Sequence, residues 1–189
     1  MRLARTLIVP ALVIGCTQHP GTPPAQGLSA FRLPAINLTV GSDPVMTASA
    51  SASSNLGDPR RMAARPAVAA QVVAQYEFVT EQLREPRFVG VSPLAQAQME
   101  RGRAALRAVL GIAEAAPPAQ VIAQLTALAG ALQQGNVAAA ERVLAAAPFT
   151  RPPGDVLATL SAMPFVPDAA RAASFTDQQL NRAGPWAID

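Results

Sequence analysis

Apolar residues recur at steps of three and four along the C-terminal two thirds of the chain. The first stripe consists of Val68, Val72, Tyr76, Val79 and Leu83, and the second of Ala95, Met99, Gly102, Leu106 and Val109. This spacing places each stripe on one face of an amphipathic α-helix. Pro66 suits the first turn of one helix, and Ser92-Pro93 supplies an N-cap followed by proline for the other. Gly102 leaves room on the second helix for a close neighbour.

Further stripes, separated by proline and glycine, predict more helices toward the C-terminus. They are Val121, Leu125, Leu128 and Leu132; Val137, Ala140, Leu144 and Ala147; a short helix over 155–162; and a last helix over 167–182. Gly135-Asn136 supplies a C-terminal stop and a new N-cap between the first two of these. No later stretch alternates like a strand. The predicted fold class is therefore all-α, a compact bundle of five or six short helices after a disordered N-terminal tether.

Residues 135–152 resemble the second half of a tetratricopeptide unit, whose family role is to present a groove to partner peptides. The matching positions are Gly135, Ala140, Leu144, Ala147 and Pro152. One unit cannot bury its faces alone, and a shift of about 34 residues either way finds no second copy. The resemblance therefore supports only a helix pair at residues 119–147.

Two aromatic residues follow helices in similar phrases. Phe149 stands in Ala-Pro-Phe and Phe165 in Met-Pro-Phe. Because proline ends the preceding helix, each phrase predicts an aromatic side chain wedged between successive helices.

Residues 17–58 are rich in Pro, Gly, Ser and Ala and have no sustained helical period. The low-complexity run at residues 47–54 is typical of flexible coil. Residues 36–40 alternate apolar and polar side chains, as a short strand or an extended arm does, but coil is favoured because no second strand is available for pairing. This region is predicted to be a tether.

The first sixteen residues end in the only cysteine of the chain. They read MRLARTLIVPALVIGC, with two arginines, a short apolar run and the tetrapeptide Val13-Ile14-Gly15-Cys16. The segment resembles the signal peptide and lipobox of bacterial lipoproteins, which implies cleavage before Cys16 and lipid on that residue. A membrane-spanning helix or a buried strand fits less well. A spanning helix needs about 20 apolar residues, and an ordinary secretory signal ends in a small-residue site without cysteine.

The lipoprotein resemblance also bears on location and on domain organisation. Thr17 is not the Asp that, in the lipoprotein pattern, tends to hold such proteins at the inner membrane. The resemblance therefore implies a periplasm-facing anchor in the cell envelope and favours the outer membrane over the inner. The predicted organisation is a signal peptide at 1–15, a lipidated N-terminus and tether at 16–59, and a helical domain at 60–189.

The charge of the chain gives no indication of a nucleic-acid partner. The 15 basic residues are all arginine, and loss of Arg2 and Arg5 with the signal would leave 13 against 12 acidic residues. The calculated pI is high because no lysine is present to titrate at alkaline pH. A nucleic-acid surface needs a clustered basic excess, which this sequence lacks.

The sequence offers few groups for catalysis. His19, the only histidine, stands in the tether, and Cys16 is assigned to lipid. The helical domain then has no histidine or cysteine for a catalytic triad, a thiol nucleophile or a histidine-bearing zinc site. We predict no enzyme activity and no catalytic, cofactor-binding or metal-binding residue.

Two sets of charged residues share predicted helix faces. They are Glu77, Glu81 and Glu85 on the first helix, and Arg101, Arg103 and Arg107 beside Glu100 on the second. The glutamates could hold a cation or an acid–base pair, but three acids on one strip are typical of a solvated face. The arginines could contact anionic lipid or peptidoglycan, but the three-residue step from Glu100 to Arg103 favours surface pairing.

The functional expectation is a lipid-anchored cell-envelope protein that acts as a binding or structural module. Its expected partners are the membrane, through lipid on Cys16, and an unidentified envelope protein. The alternative is a small-ligand or lipid carrier in the periplasm, in which alanine-lined helices surround an apolar cavity.

Overall fold

The computed structural model describes residues 43–182, which form seven α-helices joined by short turns. The helices are α1 (Pro44–Gly57), α2 (Pro66–Gln82), α3 (Pro93–Leu110), α4 (Pro118–Gln133), α5 (Val137–Leu144), α6 (Pro153–Ser161) and α7 (Pro167–Arg182). The 3₁₀ turns Pro59–Met62 and Pro86–Phe88 follow α1 and α2. Within residues 43–182 the structure contains no strand, only an isolated bridge between Ile112 and Phe149. The all-α fold class is confirmed there, with one helix more than the five or six predicted.

The additional helix is α1, which contains residues 47–54, so the prediction of flexible coil there is wrong. The Asp43 carboxylate caps α1 by accepting from the backbone N–H of Val45 at 2.7 Å, and Pro44 occupies the first helical position. The buried positions are Val45, Ala48, Ser49, Ala52 and Leu56. Small side chains among them let α1 pack closely on α2 and α7.

Packing supplies the stability that a Ser/Ala helix lacks when isolated, because most helix stability in proteins comes from tertiary contacts. Residues 44–57, which the sequence predicts to be part of the tether, are therefore helical and packed on α2 and α7. Residues 36–40 and the lipobox lie outside the described residues.

Helix α2 lies at the centre of the bundle. It packs against α1, α3, α4 and α6, and every residue from 72 to 80 is buried. Its predicted stripe is buried except for Val68, which is half-buried, and most of the opposite face is buried too, including Gln75 and Glu77. Contacts between Gln71 and Gln133, and between Glu81 and Arg103, show that α4 and α3 run antiparallel to α2.

The predicted helix boundaries are largely confirmed. The Ser92 hydroxyl accepts from the N–H of Leu94 at 3.2 Å, and the Asn136 side chain accepts from the N–H of Ala139 at 3.0 Å. Helix α3 ends at Gly111, whose φ of 65° is the left-handed conformation that favours glycine. Helices α4 and α5 pack against each other, which confirms the predicted helix pair. However, α5 ends at Leu144, and Val137 and Ala147 of its predicted buried stripe are exposed.

Gly102 lies where α3 closely approaches α2 and α7, as the sequence predicts. A methyl group there would lie 2.8 Å from the Cα of Ala169 in α7 and would overlap the hydroxyl of Tyr76. That hydroxyl donates to the carbonyl of Met99 at 3.1 Å. Only glycine fits this position without moving α7 or Tyr76.

The two Pro-Phe sequences that follow helices differ in the burial of their phenylalanine. Phe149 is buried, as predicted, and its bridge to Ile112 ties the end of α5 to the end of α3. Phe165 is 58% exposed, so the prediction of a wedge between helices is wrong there. Val166 and Met163 occupy the buried positions beside it. Among residues 43–182, no helix is both long enough and apolar enough to cross a bilayer.

Candidate functional site

The most deeply buried charged residues are Glu77 of α2 and Arg107 of α3. Arg107 donates from Nε and Nη2 to the two oxygens of Glu77 at 2.6 and 2.8 Å. Its Nη1 donates to the carbonyls of Glu114 and Ala116 at 2.8 and 2.9 Å. Glu77 is 1% exposed and Arg107 4%. This bidentate pair therefore fixes the register of α2 against α3 and holds the loop that leads to α4.

Burial and pairing act in opposite directions on the Glu77 carboxyl. Burial raises the pKa of Glu77, and the Arg107 guanidinium partly offsets that rise. Arg107 stays protonated, because its hydrogen bond with Glu77 raises a pKa that is already above the physiological range. Loss of either partner would leave an uncompensated charge in the bundle.

A second group of ion pairs lies one and two turns along the same helices. Arg103 binds both Glu81 and Glu100, and Arg84 also contacts Glu100. The side chains of Arg103 and Glu81 are only 13% and 10% exposed. We call Glu77, Glu81, Arg84, Glu100, Arg103 and Arg107 the α2–α3 ion-pair network.

This network corrects the prediction of a solvated acidic face. Glu77 and Glu81 face α3 and not solvent, because each meets an arginine that lies 22 or more residues later in the chain. The predicted Glu100–Arg103 pair is confirmed. Arg107 is buried and therefore does not belong to a surface basic patch, whereas Arg101 is exposed. Glu85 accepts a hydrogen bond from Gln82 at 3.2 Å.

The described region begins beside the turn that follows α2. Arg87 of this turn binds the Asp43 carboxylate at 2.8 Å and stacks on Phe88, with its guanidinium 4.4 Å from the ring centroid. Gln96 of α3 donates to the carbonyl of Leu83 at 2.9 Å. The start of α1, the end of α2 and the start of α3 therefore lie at one end of the bundle.

The surface of residues 43–182 includes two clefts that are open to solvent. One, of about 340 Å³, lies between the end of α1 and α7 and is lined partly by Phe165, Ala170 and Phe175. The other, of about 600 Å³, lies between α5 and α6 beside Glu141 and Arg142. Within residues 43–182 no three His, Cys, Asp or Glu side chains are grouped so that they could hold a metal ion.

Tyr76 illustrates how strongly the interior resists ionisation. Its side chain is fully buried between α2 and α3, and burial raises the pKa of its phenol well above the ordinary value of 10.0. The hydroxyl therefore acts as a hydrogen-bond donor to Met99 and not as a proton-transfer group. Sequence reasoning placed Tyr76 in the core stripe but did not anticipate this bond.

Comparisons with protein-family models, with curated proteins and with solved structures find no match to this chain.

Proposed function

We propose that the chain is a lipid-anchored cell-envelope protein whose helical domain acts as a binding or structural module. The observation that carries this proposal is the run Val13-Ile14-Gly15-Cys16 after a short apolar segment that begins with arginines. Cleavage before Cys16 and lipid on its sulfur would anchor the domain, facing the periplasm. The absence of Asp at position 17 favours the outer membrane.

The chemistry of the domain supports a role without bond-breaking. The carboxylates of the α2–α3 ion-pair network, Glu77, Glu81 and Glu100, are all paired with arginines of α3. A catalytic carboxylate needs access to substrate and a proton to exchange. These side chains instead join α2 to α3, which is what a rigid binding module needs.

Fractionation with an inhibitor of lipoprotein signal peptidase tests the anchor. Globomycin should cause the unprocessed precursor to accumulate, and Cys16→Ala should release the mature domain from membranes or block processing. Cys16→Ala protein that is processed normally and stays membrane-bound would contradict the anchor. Thr17→Ala serves as the matched control, because it leaves the cysteine in place.

The second candidate function is carriage of a small ligand or lipid. The observation that favours it is the open cleft between α1 and α7, where Phe165 and Phe175 offer apolar surface beside Arg171 and Gln178. Native mass spectrometry of protein taken from its own membrane should show a retained ligand if the protein is a carrier. Crosslinking in intact envelopes should instead yield a defined protein adduct if it is a binding module.

A further inference from the structure

One stretch of the surface has no polar side chain at any exposed position. Between residues 86 and 99 the exposed residues are Pro86, Val89, Gly90, Pro93, Leu94 and Ala97. We call these six residues the 86–97 patch. Val89 is 88% exposed and Leu94 55%, and they are two of only four large apolar side chains exposed within residues 43–182. Single exposed apolar residues are common, but here six of them fall close together in the chain, in the turn after α2 and the start of α3.

The six residues of the patch carry no charge that would oppose transfer from water. Arg87, which lies in the same stretch of chain, is half-buried and paired with Asp43 at 2.8 Å, and no charged residue occurs from 88 to 99 in the sequence. On α3, Leu94 and Ala97 share a face with Arg101, an exposed cation one turn further along. An apolar surface with an exposed arginine beside it suits the boundary between acyl chains and anionic headgroups.

The patch lies where the chain enters the domain from the N-terminal side. Asp43, the first described residue, is joined to Arg87 at 2.8 Å, two positions before Val89. The 26 residues between Cys16 and Asp43 can span at most about 90 Å, so a lipid on Cys16 would keep the domain within that distance of the bilayer, with the chain entering at this end of the bundle. A tether raises the effective concentration of a weak contact, so a few side chains suffice to orient the domain.

We propose that the 86–97 patch docks on the membrane surface, with Val89 and Leu94 inserted among the lipid headgroups. This inference rests on the proposed lipid anchor at Cys16. Docking would set the domain with α2 pointing away from the bilayer and would present the α4–α5 turn to the periplasm. Val137, which is 56% exposed, is the first residue of α5 and directly follows that turn, at the end of the bundle where α2 begins.

The test places an environment-sensitive fluorophore at either end of the bundle in the full chain. Val89→Cys and Val137→Cys are labelled with a maleimide dye after reconstitution of the processed protein into phosphatidylethanolamine–phosphatidylglycerol vesicles. Lipid on Cys16 blocks the only native thiol, so labelling is specific to the introduced cysteine. Position 137 lies at the end of the bundle marked by Gln71 of α2, and position 89 lies at the end marked by Leu83. Gln71 and Leu83 are about 18 Å apart along the helix axis, so the control label at position 137 stays clear of the headgroup layer.

The expected result is a blue shift at position 89 and quenching there by a headgroup spin-labelled lipid, with neither at position 137. Equal, water-like emission at both positions in lipidated protein would overturn docking and leave the anchor intact. A shift at 89 without lipid quenching, increasing with protein density, would overturn docking in favour of a protein contact. If the unmutated protein reacts with the maleimide, Cys16 is a free thiol and carries no lipid. This result would contradict the proposed anchor, on which the docking proposal rests. Circular dichroism of both labelled variants verifies that the helices are intact.

Discussion

Removal of the Arg107 guanidinium is the perturbation that most directly probes how α2 and α3 are held together. Arg107→Met keeps the aliphatic stem but takes away both donors to Glu77, whose side chain is 1% exposed. Breaking one partner of a buried ion pair costs about 3–5 kcal/mol of folding free energy, because the other charge remains buried and unpaired. The carbonyls of Glu114 and Ala116 also lose a donor, but neither residue is fully buried and water can replace these bonds.

The double variant distinguishes a specific pair from general loss of packing. Glu77→Leu should also cost about 3 kcal/mol, since Arg107 keeps only its two carbonyl partners. Glu77→Leu combined with Arg107→Met leaves no uncompensated charge and should lie within about 2 kcal/mol of the unmutated protein. The coupling energy should therefore be about 4 kcal/mol or more.

Urea denaturation followed by circular dichroism at neutral pH measures these differences. Arg60→Met is the matched control, because Arg60 pairs with Asp58 on the surface with 90% of its side chain exposed, and no measurable change is expected. In Arg107→Met, Glu77 loses the guanidinium that partly offsets the rise in its pKa. The loss of unfolding free energy in this variant should therefore shrink as the pH falls toward 4.5, because protonation of Glu77 removes the buried charge. Two results would refute this reasoning. One is a double variant whose loss of unfolding free energy equals the sum of the two single losses, and the other is a loss in Arg107→Met that does not change with pH.

Three further predictions concern the interior. Gly102→Ala should lower the free energy of unfolding by about 3 kcal/mol, because the new methyl group meets the Cα of Ala169 and the Tyr76 hydroxyl. Gly130→Ala in α4, where no atom lies within 4 Å of the added methyl group, should raise it by about 0.5–1 kcal/mol. Equal melting temperatures for the two variants would contradict the close packing at Gly102. Tyr76 is the only tyrosine in a chain without lysine, and burial raises its pKa. The unfolding free energy should therefore be retained below about pH 10 and fall by about 1.4 kcal/mol per pH unit above it, because the phenol ionises only in the unfolded chain. Tyr76→Phe should abolish this slope, and phenolate absorbance that appears before the loss of circular dichroism would contradict the prediction. Thr176→Val should raise the unfolding free energy by about 1 kcal/mol, because the Thr176 hydroxyl is fully buried without a hydrogen-bond partner, and a lower melting temperature would show that the hydroxyl is needed.

The helices from α2 to α7 could be predicted because their signals are local. Steps of three and four in the apolar residues, proline at the first position, and caps at Ser92 and Asn136 each act within a few residues. Helix α1 could not be predicted in this way. Its Ser/Ala sequence resembles a linker, and its helix is stabilised by α7, more than 100 residues later in the chain.

The α2–α3 ion-pair network could not be predicted because spacing within one helix does not reveal what lies opposite. Glu77 and Glu81 at i, i+4 have the same pattern on a buried face as on an exposed one. One signal was available in the sequence: Val73, Ala74 and Phe78 are small or apolar outside the predicted stripe of α2. A helix that is apolar on several sides is usually surrounded by others, and its charged residues then need partners.

The chemical state of Cys16 in protein extracted from membranes tests the central claim most directly. Mass spectrometry of the N-terminal proteolytic peptide should show a chain that begins at Cys16 and carries the mass of covalently attached lipid. A peptide that retains residues before Cys16, or one in which Cys16 is present as a free thiol, would contradict the lipid anchor.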